Sequence, residues 1–203
     1  MDPAGHLARL LMNRQVLGAV VNTSNVLLAP GIVRNTSPTR NGLSIGEIDD
    51  SQGERVQQLR ALLGQAGLVS PPLPSVRKAV WRKLLINLAG SSLCTLARCD
   101  AQVVAADPGL GQTFDRLVHE ALAVAAALGI IFEPGEVDAQ ALRQGSGTAH
   151  RPSMLQAFER GAALEIDAIL RAPQRCARTM GVVTSVLDTV IALLDHAVAA
   201  RQA

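Results

Sequence analysis

The chain has 203 residues and a formal net charge of +2, with 48% hydrophobic and 18% charged residues. This is the composition of a globular protein with enough length to bury a core, not of a disordered one. Aromatics make up only 2% and tyrosine is absent, which argues against an aromatic-rich β-sandwich and against a base-stacking platform, while the small positive balance leaves no footprint for nucleic acid.

The opening MDPAGHLARLLMNRQ lacks a charged start followed by an apolar run, so no signal peptide is read there. Short β-like runs follow, over 17–22 and 26–29, then the Pro30-Gly31 turn and IVRNT. NGLSIGEI (41–48) is led in by Asn-Gly. One helix is predicted over 53–67, with Val56, Leu59, Leu62 and Leu63 on one stripe and Gly67 as its stop. LVSPPLPSV then reads as a short strand entering a Pro-rich linker. Beyond it the pattern is helical: 75–93, 110–129, 135–144, 153–159, 163–180 and 185–201. Gly129 and Gly181 are read as C-terminal stops, Ser185 with Asp188 has capping-box spacing, and Pro173 should kink or break its helix. The longest apolar run, Ala121 to Phe132, is too short to span a bilayer, so no membrane role is read. Cys94, Cys99 and Cys176 are an odd set with no CxxC, which fits reduced thiols in a cytoplasmic protein.

The expected fold is therefore mainly α: residues 1–72 form a partial α/β region and residues 73–203 an all-helical domain. The first part offers about four strands and a single good helix, too little for an independent doubly wound domain.

Two segments carry candidate chemistry. In WRKLLINLAGSSL, Lys83, Asn87 and Ser91 are spaced i, i+4 and i+8 and form one polar stripe fenced by aliphatics. Such a stripe is either the solvent face of an amphipathic helix, with Lys83 reaching water, or the lining of a cleft. In a partly dry cleft a lysine loses hydration of its charged form and can donate a proton or polarise a carbonyl. In RPSMLQAFERGAALEIDAIL, Ser153 sits at a plausible helix start where its hydroxyl could cap. Glu165 interrupts an apolar stretch, and is either a carboxylate favoured by a helix N-terminus or a binding group.

Other motifs fail. His119-Glu120 lacks the second histidine of HExxH, so no metal site is expected. Gly145-Ser146-Gly147 is followed by His150 where a third glycine belongs, and no GxGxxG or P-loop occurs anywhere. Cys94 has no His or Asp at a spacing that would make it a nucleophile, and reads as a small core residue.

Taken together, these segments resemble the ketopantoate reductases (2-dehydropantoate 2-reductases). There a Trp-x-Lys-x-x-x-Asn helix opens the carboxy-terminal domain, and a later Ser-Met-Leu-Gln segment is followed, twelve residues after its Ser, by a Glu in the pattern Thr-Glu-Ile-Asp, which is Leu-Glu-Ile-Asp here. Here these are Trp81-Arg82-Lys83 with Asn87, Ser153 in SMLQ, and Glu165 in EID. PGIVRNT and LSIGEID resemble the strands that finish the family's nucleotide-binding domain, so residues 1–72 read as a Rossmann-like remnant. The resemblance implies NADPH-dependent reduction of 2-dehydropantoate, on the route to pantothenate and coenzyme A. It makes Lys83 the general acid, and gives substrate contacts to Asn87, Ser153 and Glu165. It also implies that Lys83 and Glu165 share a sheltered crevice.

Several positions depart from the family pattern. Ser91-Ser92 stands where Asn-Pro is usual, Ala157 where Asp is usual, His150 where Asn is common, and Pro173 follows Glu165. The strand and GxGxxG turn that open family members are missing. The expectation is thus an enzyme-like chain that is truncated and inactive alone, a homodimer acting on a small keto acid, with NADP as the family's cofactor. The competing reading is a non-catalytic helical dimerisation or ligand-binding module that kept the fold.

Overall fold

Alternation of small and β-branched residues at the start of the chain yields strands, as expected. The computed structural model describes residues 10–12, 15–23, 25–35, 41–145 and 151–202; His150 and Ser146-Gly147 lie outside them. The chain divides into two compact units, one ending at Val80 and one beginning at Trp81.

In the first unit, β1 (Leu17–Asn22) and β4 (Gly42–Glu47) pair antiparallel, while β2 (Asn25–Ala29) and β3 (Ile32–Asn35) form a separate antiparallel hairpin. Gly31, at φ +79°, supplies the left-handed turn between β2 and β3 that other residues resist. Val69 adds a parallel bridge to Gly42, its carbonyl accepting from Leu43 N at 2.9 Å. Helix α1 (Glu54–Gln65) buries Val56 and half-buries Leu63, but Leu59 and Leu62 of its predicted stripe stay open, 37% and 58% exposed. Asp50, itself at φ 62°, accepts from Val76 N at 2.9 Å and from the Ser75 hydroxyl at 2.8 Å. This caps the start of α2 (Val76–Ile86).

The second unit is helical. The end of α2 runs into a π-turn (Asn87–Ser91) and then α3 (Ser92–Ala97). Arg98 closes α3 in the left-handed conformation, at φ 55°, with Cys99 N donating to Cys94 O at 3.1 Å. Helix α4 (Ala101–Ala106), which the periodicity does not predict, is capped by Asp100, whose carboxylate accepts from Val103 N at 3.1 Å. Helix α5 (Pro108–Ala127) begins two residues earlier than expected, because Asp107 caps it and Pro108 pre-sets its first turn. It buries Phe114, Leu117, Val118, Ala121, Val124 and Ala125 at helical spacing and ends where predicted, at a left-handed Gly129. After α6 (Ala139–Gly145) come α7 (Ser153–Glu159), a second π-turn (Asp167–Arg171), α8 (Ala172–Met180) and α9 (Ser185–Gln202).

The core of this unit gathers Trp81, Leu85, Leu88, Phe114, Leu117, Leu155, Leu170, Leu187 and Leu194, all nearly or wholly shut off from water. Each such side chain contributes about 1.5–3 kcal/mol by burial. Cys94 belongs to it, as expected. Its burial above all pushes the thiol up to about 12. Pro173 does not break its helix. It sits in the first turn of α8, and the π-turn ahead of it widens the chain where the proline ring would otherwise press on a carbonyl. There the Ala172 N–H donates to the Asp167 carbonyl, five residues back. Among the described residues no helix is long and apolar enough to cross a membrane.

Candidate functional site

Trp81 orients the first candidate segment. Its indole is 2% exposed and anchors the helix, as do Leu84, Leu85 and Leu88. Two residues on from a buried anchor is the opposite face of a helix, so Lys83 is exposed and Asn87, the first residue of the π-turn, is half-buried. Ser91 leaves the expected stripe: it is buried, and its carbonyl accepts from the Thr95 hydroxyl at 2.7 Å. The extra residue per turn in a π-turn is the reason, since i, i+4, i+8 alignment holds only in an uninterrupted α-helix.

Ser153 is the first residue of α7 and is exposed; Pro152 takes the cap position, so the serine hydroxyl does not cap. Met154, Leu155 and Phe158 fix the inner face of this helix. The turn after it is clamped by Arg201, which donates to Phe158 O at 2.6 Å and Ala162 O at 3.2 Å. Its guanidinium also stacks 4.8 Å from the centre of the Phe158 ring, with Arg98 at 4.1 Å. Glu165 follows, exposed, its carbonyl accepting from Ile169 N at 3.0 Å as the helix starts. Ile166 and Leu170 are buried and hold that start in place.

The elements bearing these residues meet. The first π-turn packs against α5, against α7 and against the second π-turn, and α3 packs against α7. Asn87, the α7 helix that Ser153 opens, and the turn that follows Glu165 therefore belong to one packed assembly. Lys83 and Glu165 are both exposed, so the shelter expected around the lysine is not supplied by burial within the described residues. Of the departures, Ala157 is half-buried and Pro173 buried. The π-turns have no local sequence signal beyond the Ser91-Ser92 pair, whose second member directly follows the first turn.

Glu120, from the failed HExxH, has another task. Its carboxylate accepts from Val186 N and Leu187 N, both at 2.9 Å, and so caps α9. Among the described residues no three His, Cys, Asp or Glu side chains gather in a way that could hold a metal ion.

Among the described residues of the first unit, the one long helix start does not suit the pyrophosphate of a nicotinamide dinucleotide. No GxGxxG turn is present. The N-terminus of α1, where a pyrophosphate would need bare N–H groups and no competing anion, carries Glu54 and lies close in sequence to Asp49 and Asp50. Glu47 is already committed to Arg55, whose Nε donates to it at 2.6 Å. That guanidinium holds the Glu47 carboxyl below its ordinary range.

The family described as "Ketopantoate reductase PanE/ApbA C terminal" matches residues 75–198. The 2-dehydropantoate 2-reductase of Mesorhizobium japonicum is 32% identical over 194 residues, which are 96% of this chain and 59% of that protein. The crystal structure of 2-dehydropantoate 2-reductase from Geobacter metallireducens superposes with a TM-score of 0.84 at 24% identity, covering 94% of this chain and 64% of that one. A dimeric ketopantoate reductase from Staphylococcus aureus gives 0.77 at 25%, covering 90% and 62%. The chain thus spans less than two thirds of the length of each of these relatives.

Proposed function

The chain belongs to the ketopantoate reductase family, and from that premise we propose that its helical part is the keto-acid half of an NADPH-dependent 2-dehydropantoate 2-reductase. In this reading residues 73–203 hold the substrate and residues 1–72 are the end of a nucleotide-binding domain. Lys83 donates the proton that the reduced carbonyl oxygen needs, and its ammonium stabilises negative charge on that oxygen as it develops. Asn87 hydrogen-bonds the substrate, Ser153 contacts its carboxylate, and Glu165 accepts from its terminal hydroxyl. In the family chemistry the hydride would come from NADPH, which a nucleotide-binding half would hold.

The observation that carries the reading is the packing of the first π-turn against both α7 and the second π-turn. It joins segments far apart in the chain: the first π-turn begins with Asn87, α7 begins with Ser153, and the second π-turn starts two residues after Glu165. The exposure of Lys83 and Glu165 fits a site that is completed by further residues. We therefore infer that the 203-residue chain alone neither binds NADPH tightly nor reduces 2-dehydropantoate. Micromolar NADPH binding and turnover by the purified chain would refute this. In a preparation complemented by a nucleotide-binding half, Lys83→Ala should abolish activity.

A second reading, a non-catalytic helical dimerisation module, draws on the open apolar face of the first unit. Leu27, Leu28, Ile32 and Val33 of the hairpin are all about half exposed or more, which a second copy could cover. Both readings make the chain a homodimer. Light scattering that finds a monomer at high concentration would contradict that, and Lys83→Ala would leave the module's self-association unchanged.

A further inference from the structure

The first π-turn is held by a side chain. In an α-helix the Leu88 carbonyl would accept from the N–H of Ser92, four residues on. In the π-turn the main-chain bonds reach five residues back instead of four, so that bond is not made. The Ser92 hydroxyl donates to the Leu88 carbonyl at 2.5 Å and lies 3.2 Å from that of Ala89. Ser92 is wholly buried, as is Leu88, so no water can serve that carbonyl in its place. The hydroxyl takes over the bond that the main chain has given up, and a buried carbonyl left without a donor is costly.

The second π-turn reaches the same shape by another route. Its helix carries Pro173, which has no N–H to give. The two turns pack against each other. Asn87 begins the first, and Glu165 lies two residues before the second. Each turn therefore sets the direction in which one candidate site residue leaves the core.

We propose that Ser92 is a positioning residue, whose hydroxyl keeps the first π-turn open and thereby sets the angle at which Lys83 and Asn87 face α7. This rests on the reading in which Asn87 touches the keto acid. Without the hydroxyl, the cheapest repair is the α-helical bond from the residue-92 N–H to the Leu88 carbonyl. That shifts the register by one residue and rotates the Lys83–Asn87 face by about 100° relative to α3.

The test compares the 203-residue chain with Ser92→Ala, Ser92→Thr and Thr95→Val. Thr95→Val removes another buried hydroxyl of α3, the one that donates to Ser91 O, and controls for lost stability. Crystal structures report the turn, and titration with 2-dehydropantoate reports the site. Ser92→Ala should convert the π-turn to α-helix and weaken binding about tenfold or more, since a displacement of an ångström at a binding group is enough for that. Ser92→Thr keeps the hydroxyl and should stay within about threefold of the parent; Thr95→Val should lower Tm but not affinity. Should Ser92→Ala not fold, Ser92→Cys, whose thiol is a poor donor, takes its place with the same expectation. A π-turn unchanged in Ser92→Ala, or equal loss of affinity in Thr95→Val, overturns the proposal. If the parent chain binds no keto acid, the reading of the site fails, and the crystal structures alone decide whether the hydroxyl holds the turn.

Discussion

Glu120 and Leu187 are 67 residues apart in the chain and joined at 2.9 Å, carboxylate oxygen to backbone N–H, with the second oxygen of Glu120 on Val186 N at the same distance. One side chain of α5 thus satisfies two of the bare donors at the start of α9, a task that helices usually leave to a local Ser, Asp or Glu. The expected local box is not used: Asp188 accepts instead from Gln174 Nε2 at 2.6 Å. Glu120→Ala should lower stability by about 1–2 kcal/mol, near the upper range for a lost cap. Asp188→Ala should cost the α9 start less. Chemical denaturation of both variants checks the order.

Gly18 and Gly46 are register partners across β1 and β4. A Cβ on either would lie 2.8 or 2.9 Å from Val76. Two facing positions without side chains form the seat into which Val76 is pressed, 3% exposed. Gly46→Ala should therefore destabilise the first unit by about 1–3 kcal/mol through overpacking. Adding Val76→Ala should recover part of that loss, as a double-mutant cycle would record.

The Glu47 carboxyl is held below its ordinary value, chiefly by the hydrogen bonds from Arg55. A carboxylate depressed in the folded state contributes stability that is present above its unfolded value of 4.5 and lost as pH falls through the lower folded value. Thermal melts should therefore show a falling Tm below about pH 4.5. Glu47→Gln should flatten that acid limb and lower Tm at neutral pH. An unchanged acid limb in this variant would contradict the assignment.

Cys94 is fully buried and its thiol is pushed up to about 12. Since the thiolate is the reacting species, a neutral thiol reagent should leave Cys94 unlabelled in the folded chain at pH 8. It should react once denaturant is added. Mass spectrometry of labelled peptides reads this directly, and labelling of Cys94 in the native chain would refute it.

Much of the helical unit is legible because its cues are local. The Phe114–Leu117–Ala121–Val124 spacing and the stop at Gly129 place α5 from periodicity alone. The caps Asp100 and Asp107 are equally local signals, and explain both the unexpected α4 and the earlier start of α5. The π-turns are not legible in the same way. They differ from α-helix by a single residue of register, and the Ser92 hydroxyl that favours one of them looks like any small polar residue in a helix. The role of Glu120 was hidden because its partners lie 66 and 67 residues away. Cover over Lys83 is a tertiary property too: the spacing of Lys83 and Asn87 puts them on neighbouring turns, but the fold leaves Lys83 exposed and Asn87 half-buried.

Lys83, Asn87, Ser153 and Glu165 are proposed to form one keto-acid site in this chain. Its most direct test is a titration of the isotope-labelled 203-residue chain with 2-dehydropantoate, followed by backbone amide NMR. Concentration-dependent shifts should concentrate at 83–91, at 152–154 and at 164–167, and vanish in Lys83→Ala with Glu165→Ala. Shifts confined to other surfaces, or shifts that persist unchanged in that double variant, would contradict it.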